Sequence, residues 1–180
     1  MNLPNKLTVL RVIMIPFFMA ALLIDKIHFN IFIALAFFAI ASITDWFDGK
    51  IARKYNLVTT FGKFLDPLAD KMLVMAAVCC FSALGWIDVV AVVIILAREF
   101  MVSALRLVTA GDGVVVAAGI WGKLKTAFTM IAIVAILALE GFGIHNMIIN
   151  EVLIWISTAL TIISGIQYLV AYWPHIDSSK

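Results

Sequence analysis

The chain has 180 residues, of which 64% are hydrophobic and only 13% are charged, and its mean hydropathy is +1.12. Soluble domains are about half apolar and about a quarter charged, so this composition excludes a water-soluble globule and indicates an integral membrane protein. The formal net charge of +2 is too small to favour nucleic acid as a partner.

Six apolar segments, taken in chain order, are long enough to cross a bilayer. A membrane-spanning helix needs about 20 mainly apolar residues for roughly 30 Å of hydrocarbon. Segments of this kind fall near 6–25, 29–54, 61–84, 87–109, 117–140 and 147–173. Turn-forming and polar residues separate them, so the sequence predicts an all-α membrane protein with six transmembrane helices in a single domain over residues 1–180. Arg11 interrupts the first segment, and no small-residue cleavage site follows it, so we expect a retained helix rather than a signal peptide.

Basic residues fall almost entirely on one side of this predicted arrangement. With six spans, twelve of the 13 lysines and arginines lie on the side of the two termini, and only Lys26 lies on the other. The positive-inside rule therefore predicts a multi-pass plasma-membrane protein with both termini in the cytoplasm. Asp25, Asp88, Glu140 and Glu151 mark the opposite helix ends, where we expect them to be solvated.

Four aspartates occupy the predicted cytoplasmic halves of the second and third helices. At about 100° per residue, Asp45 and Asp48 share one face of the second helix, and Asp66 and Asp70 share one face of the third. If these faces meet, four carboxylates come together and need a compensating charge. Hard oxygen ligands favour Mg²⁺ or Mn²⁺, so the sequence predicts a site for two divalent ions, of the kind that stabilises a phosphoryl transfer.

Two other interpretations of these acids stay open at this point. Aspartates near helix ends are often simply solvated, although four of them with matched spacing on two helices favour a function. The same four carboxylates would also suit a divalent-cation transporter. Such proteins usually bind their ions near the membrane midplane on broken helices, whereas these acids gather at one membrane face.

The stretch "DWFDGKIARKYNLVTTFGKFLDPLAD", residues 45–70, resembles the signature of the CDP-alcohol phosphatidyltransferase family, D-x2-D-G-x2-A-R-x8-G-x3-D-x3-D. All fixed positions of the signature are filled. They are Asp45, Asp48, Gly49, Ala52, Arg53, Gly62, Asp66 and Asp70. Within that family, "NLPNKLTVLR" at the N-terminus, "AREFMVSALR" at 97–106 and "GKLKT" at 122–126 are similar to the bacterial branch that makes phosphatidylglycerophosphate.

The resemblance implies a membrane enzyme of phospholipid biosynthesis that transfers the phosphatidyl group of CDP-diacylglycerol to glycerol 3-phosphate and releases CMP. It implies that the four aspartates bind two divalent ions, Mg²⁺ or Mn²⁺, at the cytoplasmic ends of the second and third helices, and that Asp70 is the general base. Residues Gly49, Ala52, Arg53 and Gly62 would shape the CDP pocket. The resemblance also implies a homodimer, and it leaves serine, inositol phosphate or phosphatidylglycerol as alternative acceptors.

A phosphorylated acceptor needs cationic side chains of its own. The candidates are Arg98 and Arg106 on the fourth helix and Lys123 and Lys125 at the start of the fifth, although the positive-inside rule also accounts for cations there. Arg98 lies deep in an apolar span and needs an anionic partner, for which adjacent Glu99 is the alternative. Asn5 and Thr8 are candidates for contacts with the nucleotide, or else they cap the first helix.

Overall fold

A computed structural model describes residues 2–24, 26–54, 60–111 and 119–173, with the side chains of 3, 4, 46–54, 60, 61, 63, 64, 108, 110 and 111 outside the described part. Within these ranges the regular elements are six α-helices. They are α1 (Leu3–Leu23), α2 (Asn30–Lys54), α3 (Thr60–Ala83), α4 (Val89–Gly111), α5 (Ile120–Gly141) and α6 (Met147–Tyr172). Each helix matches one predicted apolar segment, and its ends lie within a few residues of the predicted ones.

Local signals in the sequence account for several helix ends. Asn2 caps α1, since its side chain accepts a hydrogen bond from the backbone N–H of Asn5 at 3.2 Å. Asp88 does the same for α4 through the N–H of Val90 at 2.8 Å. After α3 and α5 the chain turns at Gly85 and Gly143, whose φ angles of 72° and 74° fall in the left-handed region that glycine adopts without strain.

Three helices in the described part of the chain are long and apolar enough to cross a membrane. They cover Asn5–Leu23, Ile120–Gly141 and Met147–Tyr172, and the apolar part of α2, Asn30–Asp45, is shorter than a full span. Arg98, Glu99 and Arg106 interrupt the apolar character of α4. The chain is therefore a helical membrane protein, and the count of six spans stays a prediction.

The helices group into two compact units, Met1–Leu84 with Ile133–Asn146 and Gly85–Ala132 with Met147–Lys180. In the first unit α1 packs against both α2 and α3, and α2 contacts α3 less extensively. Phe18 of α1 is fully buried against Phe38 of α2, with ring centroids 6.0 Å apart. The central position of α1 lets its polar side chains reach both neighbouring helices. The single domain predicted over 1–180 stays a prediction.

In the second unit α4 packs against α6, whose buried face is unusually polar for an apolar helix. Its buried members include Ser157, Thr158, Thr161, Ser164 and Tyr168. Ser157 is hydrogen-bonded to Thr129 of α5 at 2.6 Å. The hydroxyl groups of Thr158 and Thr161 donate to backbone carbonyls one turn earlier in α6. Buried hydroxyl groups need such partners, because an unpaired one costs free energy in an apolar interior.

Candidate functional site

The predicted donor site lies in the first unit, where the structure describes three of the four aspartate side chains. Asp45 lies on α2, and Asp66 and Asp70 lie on α3, each only partly buried. Gly62 is buried one turn before Asp66. The residues of the signature on the last turns of α2 have a helical backbone, but their side chains lie outside the described part; they are Asp48, Gly49, Ala52 and Arg53.

Arg11 of α1 is paired with the first aspartate of the signature. Its Nη1 atom lies 2.6 Å from Oδ1 of Asp45, and the Arg11 side chain has no exposed surface whereas that of Asp45 is 43% exposed. A buried guanidinium stays charged and therefore needs a counter-ion. Asp45 supplies one while keeping part of its carboxylate towards solvent. The sequence placed Arg11 only among the basic residues near the cytoplasmic face, and this contact is new.

Thr8, one turn before Arg11 on α1, contacts the third aspartate of the signature. Its buried hydroxyl donates to Oδ1 of Asp66 at 2.5 Å. Helix α1 thus touches the acidic residues of both neighbouring helices through side chains on the same face. Asn5 is also buried, and its backbone N–H is used in the α1 cap. The structure therefore places Thr8 beside one of the acidic residues, and the nucleotide contact that the sequence suggested for it stays a prediction.

Carboxylates are the right donors for a hard divalent ion, so the chemistry of Asp45, Asp66 and Asp70 fits Mg²⁺ or Mn²⁺. Among the described side chains, no group of three histidines, cysteines or acids is placed to hold a metal. Asp48, the fourth predicted ligand, falls outside that set. The two-ion site stays a prediction that the donor type supports.

A cluster of charged side chains in the second unit joins α4 to α5. Glu99 accepts hydrogen bonds from Nη1 of Arg98 at 2.9 Å and from Nζ of Lys125 on the same oxygen, Oε1. The side chains of all three residues are at most 11% exposed. The alternative partner foreseen for Arg98 is therefore present. One carboxylate pairs with two cations, so these three buried groups carry a net positive charge.

Residues of α6 complete this cationic cluster. Nη2 of Arg98 donates to the hydroxyl of Ser164 at 2.5 Å, and Nη2 of Arg106 donates to the hydroxyl of Tyr168. The guanidinium carbons of Arg98 and Arg106 lie 5.5 Å and 5.0 Å from the centroid of the Tyr168 ring, within the range of a cation–π contact. Of the four predicted acceptor residues, Arg98, Arg106 and Lys125 therefore share one cluster.

Lys123, the remaining predicted acceptor residue, is exposed on α5 and makes no hydrogen bond or ion pair with the cluster in the described residues. Sequence reasoning missed Ser164 and Tyr168. Their signal was the polar stripe on α6 at helical spacing, which includes Ser157 and Thr161. A helix that only packs against apolar neighbours does not require a polar stripe, so this pattern indicates polar partners on another helix.

A glycine of α6 allows Arg98 of α4 to approach its polar face closely. A Cβ atom on Gly165 of α6 would lie 3.0 Å from Cγ of Arg98, and one on Gly122 of α5 would lie 3.5 Å from Cε2 of Tyr168. The first distance is shorter than an ordinary van der Waals contact. The absence of a side chain at Gly165 thus leaves room for Arg98 to lie along α6.

The apolar helices, the acidic residues of α2 and α3 and the buried cations of α4 and α5 define a helical membrane protein that carries polar side chains within its helices. The family model described as CDP-alcohol phosphatidyltransferase matches residues 1–163, and the chain belongs to this family.

Relatives named CDP-diacylglycerol--glycerol-3-phosphate 3-phosphatidyltransferase are similar over nearly their whole lengths. The relative from Bacillus subtilis is 40% identical, and the alignment covers 99% of each chain. The relative from Rickettsia felis is 44% identical over 94% of each chain. The relative from Haemophilus influenzae is 40% identical over 93% of this chain and 91% of its own.

Proposed function

We propose that the protein transfers the phosphatidyl group of CDP-diacylglycerol to glycerol 3-phosphate and so makes phosphatidylglycerophosphate and CMP. The names of relatives that are 40–44% identical over almost the whole chain support this reaction. The attacking atom is the primary hydroxyl oxygen of glycerol 3-phosphate. A new bond forms between it and the phosphorus that carries diacylglycerol, the bond from that phosphorus to the pyrophosphate bridging oxygen breaks, and CMP leaves.

We assign the donor to the first unit. Asp45, Asp48, Asp66 and Asp70 would hold two divalent ions, Mg²⁺ or Mn²⁺, which when bound neutralise charge on the pyrophosphate. Asp70 takes the proton from the attacking hydroxyl as the general base. The ion pair with Arg11 and the hydrogen bond from Thr8 would fix the orientations of Asp45 and Asp66.

The remaining residues of the signature would bind the nucleotide part of the donor. Arg53 would pair with a phosphate, since a guanidinium presents two parallel donors to it. Gly49, Ala52 and Gly62 would leave space for the CDP group, because none carries a large side chain. Asn5 would join Thr8 at this pocket from α1.

The observation that carries the choice of acceptor is the cationic cluster of the second unit. Arg98, Arg106 and Lys125 bring three positive charges, and Glu99 brings one negative charge. The excess of two matches a phosphate monoester, which is largely dianionic near neutral pH because its second pKa is about 6. Lys123, which is exposed on α5, would supply a further positive charge for the acceptor. Serine and phosphatidylglycerol lack a phosphate monoester, and inositol phosphate is disfavoured by the names of the relatives.

The topology belongs to the same proposal. Six membrane spans in one domain would place both termini and the active site at the cytoplasmic face of the plasma membrane, as twelve of 13 basic residues on that side favour. There the soluble acceptor and CMP meet a donor whose acyl chains stay in the lipid. We further propose a homodimer, which rests on the family resemblance alone.

A transfer assay with labelled glycerol 3-phosphate tests the proposal. Purified protein in lipid–detergent micelles receives CDP-diacylglycerol and Mg²⁺ or Mn²⁺, and lipid-soluble label and CMP are measured. We expect activity that EDTA abolishes and added metal restores. Asp70→Asn should lower kcat by about 10²- to 10⁴-fold, the usual contribution of a general base. Asp88→Asn is the matched control, because an asparagine there still caps α4.

The outcomes separate the parts of the proposal. Release of CMP with serine or inositol phosphate, but not with glycerol 3-phosphate, would leave the family reaction standing with a different acceptor. Absence of CMP release with every acceptor, from folded protein, would refute the transfer reaction. Equal losses in Asp70→Asn and Asp88→Asn would remove Asp70 from the role of general base.

A further inference from the structure

Tyr168 contacts both arginines of the cationic cluster in the second unit, and no motif assigns it a role. It lies on α6 one turn after Ser164 and one turn before Tyr172, and it is only 3% exposed. Its ring stacks on that of Tyr172, with centroids 6.0 Å apart and planes inclined by 14°. A buried and stacked tyrosine has few alternative rotamers, so it is a rigid support for groups that rest on it.

Two like charges rest on this support. The guanidinium carbons of Arg98 and Arg106 both lie within 5.5 Å of the Tyr168 centroid, and its hydroxyl accepts a hydrogen bond from Nη2 of Arg106. Two guanidinium groups that share one ring repel each other, whereas an anion nearby attracts both. The arrangement is therefore more favourable with an anion bound than without one.

Arg98 still has donors to offer such an anion. A guanidinium has five N–H donors, and the described hydrogen bonds of Arg98 use one from Nη1 to Glu99 and one from Nη2 to Ser164. Its Nε atom is buried and makes no hydrogen bond within the described part of the chain. A buried, unpaired donor costs free energy that a bound phosphate oxygen would recover.

We propose that Tyr168 is a positioning residue that holds Arg106 by its hydroxyl and supports both arginines by its ring, so that they are preorganised for the phosphate of the acceptor. The inference rests on the proposed function, since it takes the acceptor to be a phosphate monoester. Holding Arg106 before binding removes the entropy loss of ordering a long side chain when the ligand arrives. Tyr168 acts through the arginines and needs no contact with the reacting atoms.

Tyr168→Phe tests the hydroxyl, because it keeps the ring and its stacking on Tyr172. We expect the KM for glycerol 3-phosphate to rise about tenfold, as for the loss of one hydrogen bond to a charged group, with the KM for CDP-diacylglycerol and the melting temperature nearly unchanged. Tyr168→Leu removes the ring as well and should raise the acceptor KM further. Thr158→Val is the matched control, because its buried hydroxyl on the same helix donates only to the carbonyl of Ile154 among the described contacts.

A double-mutant cycle distinguishes positioning from a general effect on the fold. If Tyr168 acts through Arg106, then Tyr168→Phe should change the acceptor KM less than about twofold once Arg106→Gln is present. An equal rise of the KM values for both substrates, or independent effects in the double variant, would overturn the inference. The wild-type protein is assayed first. If it makes no product from glycerol 3-phosphate, the proposed function fails; if it is active and Tyr168→Phe leaves the acceptor KM unchanged, only the inference about Tyr168 fails.

Discussion

Arg11 and Asp45 form an ion pair in which the two partners differ sharply in exposure. Nη1 of Arg11 lies 2.6 Å from Oδ1 of Asp45, with side-chain exposures of 0% and 43%. The guanidinium is shielded from water, whereas the carboxylate keeps part of its surface in contact with water. The pair therefore ties α1 to the acidic end of α2, and it makes the stability of α1 depend on a residue that we place at the donor site.

This asymmetry predicts unequal effects of removing the two charges. Asp45→Asn leaves a buried guanidinium without that carboxylate and should lower the free energy of unfolding by about 3 kcal/mol. Arg11→Met leaves a half-exposed carboxylate that water solvates, and it should lower the free energy by about 1 kcal/mol or less. Thermal unfolding of both variants in the same detergent and without added divalent ions measures the difference.

The double variant Arg11→Met/Asp45→Asn provides the control for this comparison. It contains neither charge and should be more stable than Asp45→Asn alone, since the buried cation is gone. Equal destabilisation by the two single changes, with additive effects in the double variant, would show that the pair contributes nothing through its charges. Both single variants should lose transfer activity, because Asp45→Asn removes the charge of a proposed metal ligand and Arg11→Met removes the side chain that orients it.

Glu99 compensates two buried cations, so replacing it with a neutral residue should strongly destabilise the protein. An added anion should reverse part of this destabilisation. Glu99→Gln leaves Arg98 and Lys125 without their shared carboxylate, and we expect a loss of about 3 kcal/mol in unfolding free energy. An added anion can replace the missing charge. Millimolar inorganic phosphate should therefore raise the melting temperature of Glu99→Gln more than that of the wild type.

Sodium chloride at equal ionic strength controls for general screening in this experiment. Glu140→Gln is the matched variant, since Glu140 is also buried but its described partner is His145, at 2.5 Å, rather than a cationic cluster. Phosphate should not raise the melting temperature of Glu140→Gln above the effect of sodium chloride. The interpretation would be wrong if phosphate raised the melting temperatures of both variants and of the wild type by the same amount.

The fold followed from the sequence because apolar length and turn residues determine where membrane helices begin and end. The six helices of the described part all match predicted segments, and the turns that follow α3 and α5 contain Gly85 and Gly143. The burial of individual charged side chains could not be predicted from the sequence. Glu140 was expected to be solvated, but its side chain is 3% exposed and paired with His145, because the position of an acid at a helix end does not reveal which loop folds over it.

The candidate sites were predictable to different extents. Fixed spacing identified the aspartates on α2 and α3, and the need for an anion partner singled out Arg98. The partners Arg11, Ser164 and Tyr168 did not follow, since each lies on a helix distant in sequence from the residue that it contacts. Helical periodicity places residues on a face, but it does not determine which other helix that face meets.

Gly165 and Gly119 offer a final contrast, because a methyl group added at each meets a different kind of neighbour. At Gly165 the new Cβ would lie 3.0 Å from Cγ of Arg98, whose tip is held by Glu99 and Ser164 and therefore cannot move away freely. At Gly119 it would lie 2.6 Å from Oε1 of Gln167, the free end of an exposed and flexible side chain.

Gly165→Ala should raise the KM for glycerol 3-phosphate about tenfold, since small displacements of a positioned group weaken productive binding. Its melting temperature should change little, because alanine in a helix offsets the steric strain by about 1 kcal/mol. Gly119→Ala should leave both KM values unchanged. Steady-state kinetics with each substrate varied separately measures these effects, and an unchanged acceptor KM in Gly165→Ala would show that the position of Arg98 does not limit acceptor binding.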